Sequence, residues 1–178
     1  LQVNATDIPG IEDIDGDGDL DILAYRFSTA STIDYYKNTS IENTGNCGNL
    51  TFVRETRVWG GFEECSCNDI VFGGSCTSGG IINTNQDENT IEAVEHAGGK
   101  TILLLDYDND GDMDLITSDE FCETLYFMEN VGDSQNAVMA SFSSFPDFDP
   151  ASFYIFPAAF YDDFDFDGVR DLVISSNA

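Results

Sequence analysis

One pattern constrains this chain more than any other. Asp13-Ile-Asp15-Gly-Asp17-Gly18-Asp19-Leu-Asp21 returns as Asp106-Tyr-Asp108-Asn-Asp110-Gly111-Asp112-Met-Asp114, and again as Asp163-Phe-Asp165-Phe-Asp167-Gly168-Val169-Arg-Asp171. The shared form is D-x-D-x-D-G-x-x-D, followed each time by apolar residues. A repeat of this kind is read before anything else, because it sets the architecture. The copies begin 93 and 57 residues apart.

The residue types and their spacing carry the chemistry. Carboxylates at positions 1, 3 and 5 of a tight loop converge on one point. Gly at position 6 permits the sharp turn. The position 7 carbonyl can point inward, and the position 9 carboxylate closes the site. Such a set of hard oxygen ligands suits Ca²⁺, and soft metals would want the Cys or His that these loops lack. Without a cation the clustered carboxylates would repel one another. The expected ligands are therefore Asp13, Asp15, Asp17, Asp19 and Asp21; Asp106, Asp108, Asp110, Asp112 and Asp114; and Asp163, Asp165, Asp167, the Val169 carbonyl and Asp171, in about three Ca²⁺ sites. An EF-hand loop also begins D-x-D-x-D-G, but needs an acid at position 12 on a following helix. Position 12 is Ala24, Thr117 and Ile174. The residues after each loop alternate as a strand does. The loops are thus expected between strands, with Thr101–Leu105 and Ala158–Tyr161 as two of the incoming ones.

The repeat resembles the FG-GAP/VCBS family of integrin-alpha-like calcium-binding β-propellers, in its bacterial extracellular form. Ile33-Asp-Tyr-Tyr-Lys-Asn38 and Leu125-Tyr-Phe-Met-Glu-Asn130 look like that family's third strand, and Leu50–Arg54 like a fourth. The resemblance implies an all-β fold of antiparallel four-stranded blades, each with its calcium loop between strands one and two. Blade-like repeats would span about 5–56, 100–132 and 157–178 of a single propeller-like domain or fragment. An irregular Cys-containing insert would span 57–99. The segment Asp133–Pro157 is not blade-like either. Propellers have 4–8 blades, so the rest of a longer propeller chain or neighbouring copies would complete the assembly, with an oligomer or filament as one outcome. Leu1 at the start and the strand-like ending both read as an excised piece.

Cys47, Cys65, Cys67, Cys76 and Cys122 are disulfide candidates, and one must stay unpaired. Leaving one out and pairing the rest gives fifteen patterns, among which sequence does not choose. A zinc site of Cys47, Cys65, Cys67 and Cys76 is disfavoured by the tight C-x-C spacing, and a buried free thiol stays open for Cys122. Asn4, Asn38 and Asn49 each begin an N-x-[ST] glycosylation sequon. An extracellular or cell-surface location follows from the cysteines and the calcium reading.

Charge excludes several functions. The chain has 34 acidic and 6 basic residues in 178, a formal net charge of −28. That argues against nucleic acid and against docking on anionic lipid. No apolar run is long enough for membrane insertion. Fourteen of the 34 acids lie in the three loops. No nucleophile elbow or phosphate-binding loop occurs. The single His96 reads as structural, and Glu63, Glu64, Glu92 and Glu95 as solvated surface charges. Trp59 reads as packing between blades, with a sugar-stacking platform as its alternative. The expected function is a non-catalytic, calcium-stabilised structural or adhesive module making protein–protein or surface contacts. The alternative is a carbohydrate-binding propeller, or the accessory domain of a secreted enzyme, with glycans as partners.

Overall fold

The computed structural model describes residues 1–76, 98–146 and 156–176. Its architecture is all-β. Strands β1 (Gly10–Glu12), β2 (Asp21–Tyr25), β3 (Ile33–Asn38) and β4 (Phe52–Thr56) form an antiparallel meander in that order. A short helix, α1 (Ser40–Thr44), joins β3 to β4. A 3-10 turn at Trp59–Gly61 leads into a hairpin of β5 (Phe62–Ser66) and β6 (Asp69–Phe72). A second four-stranded meander follows: β7 (Lys100–Leu105), β8 (Asp114–Asp119), β9 (Leu125–Met128) and β10 (Ser143–Phe145). Strands β11 (Pro157–Asp162) and β12 (Asp171–Ser176) pair as a third sheet.

The middle sheet has two buried faces, and its sequence shows why. Apolar residues run unbroken through Ile102-Leu-Leu-Leu105, as in strands covered on both sides. Successive side chains point to opposite faces. Ile102 and Leu104 pack with Leu115 and Met128 against Leu23, Tyr25, Ile33 and Tyr35 of the first sheet. Leu105, Ile116 and Leu125 pack with Phe145 and Ala159, so they face the third sheet. Three sheets therefore stack in series. The chain before β1 locks the first two together, with Ile8 bridging Thr101 in parallel. Gly10 permits the approach of β1 to β7: a Cβ there would lie 2.6 Å from Ile102 Cγ2.

Several expectations are corrected. Residues 62–72 of the insert expected to be irregular form an antiparallel hairpin, with one register shift between Glu64 and Ser66. The segment Asp133–Pro157 supplies β10, which pairs Phe145 with Leu125 and completes the second sheet. The fourth strand of the first sheet sits two residues later than expected, at Phe52–Thr56. Trp59 is 5% exposed within the core between the first two sheets, which removes the sugar platform. His96, Glu92 and Glu95 lie outside the described residues.

Glu64 is a larger departure, since it is buried rather than solvated. Its Oε1 lies 2.8 Å from Lys100 Nζ, and Lys100 Nζ is also 2.5 Å from Asp119 Oδ2. The Tyr25 hydroxyl lies 2.8 Å from Glu64 Oε2 and 2.9 Å from Thr117 Oγ1. The Lys100 ammonium sits over the Tyr25 ring, 5.2 Å from its centre. This cluster ties the first sheet, the hairpin and the second sheet through groups buried from water. Burial, reinforced by the Glu64 charge, pushes the Tyr25 hydroxyl well above its ordinary range, so the tyrosine stays a neutral donor.

Two disulfides reinforce the same region. Cys65 pairs with Cys76, which closes the hairpin. Cys67 pairs with Cys122, which fastens the hairpin to the second sheet across 55 residues of sequence. The unpaired thiol is the exposed Cys47, so neither the Cys122 thiol nor the zinc reading stands. Disulfides are a bonding pattern of oxidising compartments. No helix among the described residues is long and apolar enough to cross a membrane.

Candidate metal centres

Each repeat loop joins two antiparallel strands: β1 to β2, β7 to β8, and β11 to β12. The turn is built the same way three times. Gly18, Gly111 and Gly168 at position 6 have φ of +97°, +95° and +93°, which an L side chain rarely adopts. Position 4 is also left-handed, at Gly16, Asn109 and Phe166. The position 1 carboxylate then accepts the amides this curl exposes. Asp13 Oδ2 accepts from Gly18 N at 3.0 Å, Asp106 Oδ2 from Gly111 N at 3.1 Å, and Asp163 Oδ2 from Gly168 N at 2.9 Å.

The result gathers positions 1, 3 and 5 in every copy. Asp13, Asp15 and Asp17 bring one ligand oxygen each within 4.8 Å of one another, and so do Asp106, Asp108 and Asp110, and Asp163, Asp165 and Asp167. Each set could hold a metal ion, and its donors are all hard oxygens.

Position 9 takes a different part. Asp21 accepts from Ile14 N (3.1 Å), the Tyr35 hydroxyl (3.0 Å) and Asn38 N (2.7 Å). Asp114 accepts from Tyr107 N (2.9 Å) and Asn130 N (2.8 Å), and Asp171 from Phe164 N (3.1 Å). This carboxylate staples the loop to its own first residues and, in the two complete sheets, to the end of the third strand. The staple takes only the backbone N–H of Asn38 and Asn130, and the Asn side chains do separate work. Asn38 Oδ1 accepts from Ser40 N and Oγ, and Asn130 Oδ1 from Gly132 N and Val138 N, so each Asn turns the chain after its strand. Asn38 is 1% exposed and its side-chain nitrogen donates to Leu20 O. It is a structural residue and not a glycan acceptor. Asn49 is exposed and Asn4 half-buried.

At position 7, where a carbonyl can point inward, two loops also bury a carboxylate. Asp19 is 3% exposed and Asp112 6%. Asp19 Oδ2 accepts from Ile41 N of α1, while Asp19 Oδ1 and Asp112 Oδ1 have no hydrogen-bond donor. A buried oxygen left unpaired costs about 1–3 kcal/mol or more when charged. Burial first, then repulsion from Asp110, Asp114, Asp108 and Asp106, pushes the Asp112 carboxyl up to about 6. Burial also pushes Asp21 up to about 6. The equivalent of Asp19 and Asp112 in the third loop is the exposed Val169.

The first loop has one further neighbour. Lys37 on β3 places its ammonium against Asp15 Oδ2 and 2.6 Å from Glu42 Oε1. Those two contacts hold the Lys37 ammonium well above the usual lysine range. Glu42 stands on α1, outside the repeat motif, and forms a second acidic group with Asp17 and Asp19. Sequence reasoning missed Glu42, because only the fold of β3 and α1 brings it to the loop.

No family model matches the chain, and no curated protein or solved structure matches it.

Proposed function

We propose that this chain is an extracellular, non-catalytic module whose stacked sheets are rigidified by Ca²⁺ in its three D-x-D-x-D-G loops. The observation that carries the reading is the threefold gathering of positions 1, 3 and 5 between paired strands. The donor set fits a hard cation, and the buried unpaired oxygens of Asp17 in the first loop and Asp112 in the second are groups that a nearby positive ion would compensate. Asp13, Asp15 and Asp17, with their counterparts, would hold the ions. Bound Ca²⁺ supplies only charge neutralisation and cross-linking, so the loops stiffen and no bond is made or broken.

The architecture favours a blade-like role for each sheet, in keeping with the resemblance to FG-GAP/VCBS propellers. The first two sheets are complete meanders of four strands, whereas among the described residues β12 pairs only with β11. In the complete sheets the equivalents of β12 are flanked on both sides. A strand from the rest of a longer chain, or from a neighbouring copy, would complete the third sheet. The disulfides and the strong negative charge fit a setting outside the cell, where Ca²⁺ is plentiful.

Thermal unfolding with and without chelator tests the reading. Linkage gives about 2.7 kcal/mol per site at a hundredfold excess of ion over Kd, so EDTA should lower the midpoint substantially. Equal midpoints in Ca²⁺ and EDTA would defeat the proposal. Calcium-dependent capture on a glycan array would instead favour the carbohydrate-binding alternative, which has lost its Trp59 platform.

A further inference from the structure

We propose that Asp17, Asp19 and Glu42 form a second site for a hard divalent cation beside the first loop, sharing Asp17 with the group Asp13, Asp15 and Asp17. Ligand oxygens of the three residues lie within 4.8 Å of one another, as they do in the loop group. An independent feature points to a ligand: Asp19 is 3% exposed, and its Oδ1 is buried with no hydrogen-bond donor. Its other oxygen accepts from Ile41 N at 3.0 Å, which fixes the start of α1 against the loop and holds Glu42 one residue on.

The local charges leave room for an ion. Asp15, Asp17, Asp19 and Glu42 are four carboxylates, and the Lys37 ammonium contacts two of them, Asp15 and Glu42. It makes no ion pair with Asp17 or Asp19 among the described residues. The donors are carboxylates alone, which selects a hard cation of the Ca²⁺ type, with water and carbonyls filling the remaining positions. The second loop is an internal comparison. It repeats the pair as Asp110 and Asp112, and Asp112 Oδ1 is likewise unpaired, but no third acid completes such a group among the described residues. The first loop would therefore take two ions and the second loop one.

Glu42 lies outside the repeat motif, so the inference goes beyond the three-loop reading and fails separately from it. The experiment is equilibrium dialysis of the full chain against radioactive Ca²⁺, with Glu42→Gln, Lys37→Met and Asp163→Asn beside the wild type. The expected result is four ions for the wild type and three for Glu42→Gln, with the far-ultraviolet circular dichroism unchanged. Lys37→Met should retain four and bind the Glu42-dependent ion about tenfold more tightly, because a neighbouring positive charge is gone. Equal ion counts for wild type and Glu42→Gln, with no tightening in Lys37→Met, would overturn the second site. Asp163→Asn separates the two readings. If it binds as many ions as the wild type while Glu42→Gln binds one fewer, the loop reading falls and the second site stands.

Discussion

Replacing Lys100 with Met should destabilise the fold more than any other single charge removal at the junction of the first two sheets. The side chain of Lys100 is 5% exposed and that of Glu64 1%, so neither charge has water to fall back on. At 2.8 Å and an effective dielectric near 20, their attraction is about 6 kcal/mol before desolvation is subtracted. Breaking a buried pair by removing one partner costs about 3–5 kcal/mol, because the other charge is stranded. For a chain of this size each kcal/mol moves the midpoint by about 2–4 °C, so Lys100→Met should melt about 6–20 °C lower. Urea unfolding with an unchanged m-value would confirm that stability, rather than compactness, has changed. The double variant Lys100→Met/Glu64→Gln should recover part of the loss, since Glu64 would no longer be a buried charge and the Asp119 side chain, 15% exposed, is closer to water. A loss below about 1 kcal/mol, typical of exposed ion pairs, would refute the reasoning, as would a double variant no more stable than the single one.

Other outcomes follow from the same geometry. Asp112 and Asp21 are raised to about 6 in the metal-free chain, above about 3.9 for an unfolded Asp, so between those values the folded state binds protons that the unfolded chain has released. Their contribution to stability is greatest at the acid end and is lost as pH rises through about 6. The EDTA-treated chain should therefore gain melting temperature from pH 7 to pH 5, whereas the Ca²⁺-loaded chain should lose it as protons displace the ion. Cys122→Ser opens a 55-residue link and should cost about 2–5 kcal/mol by urea titration. Without reductant, a thiol reagent should label one cysteine per chain, Cys47. Phe166 is 90% exposed with φ +62°, where L residues cost about 1–2 kcal/mol, so Phe166→Gly should raise the melting temperature slightly rather than lower it.

The loops were legible in the sequence because everything that makes them is local. Asp spacing, the position 6 glycine and the flanking apolar alternation all fall within about a dozen residues, and the strands on either side stand where that pattern put them. The two aromatic third strands were equally plain. What escaped was set by distant partners. Ser143-Ser-Phe145 is too short to show alternation, and it is a strand only because β9 offers an edge. Glu63 and Glu64 look alike in sequence, yet Glu64 is the one that meets Lys100, 36 residues on. The pairing of Cys67 with Cys122 depends on how the hairpin docks, which no spacing rule encodes. Asn38 and Asn130 offered a signal that could have been read further. The same residue follows both aromatic stretches, and in the structure its backbone N–H meets the position 9 carboxylate while its Oδ1 turns the chain that comes next.

A crystal structure grown with Ca²⁺, with anomalous diffraction collected to place the ions, tests the central claim most directly. The account predicts anomalous peaks at Asp13/Asp15/Asp17, Asp106/Asp108/Asp110 and Asp163/Asp165/Asp167, each with oxygen ligands at about 2.3–2.6 Å. Loops that keep the same fold but show no anomalous peak at saturating Ca²⁺ would contradict it.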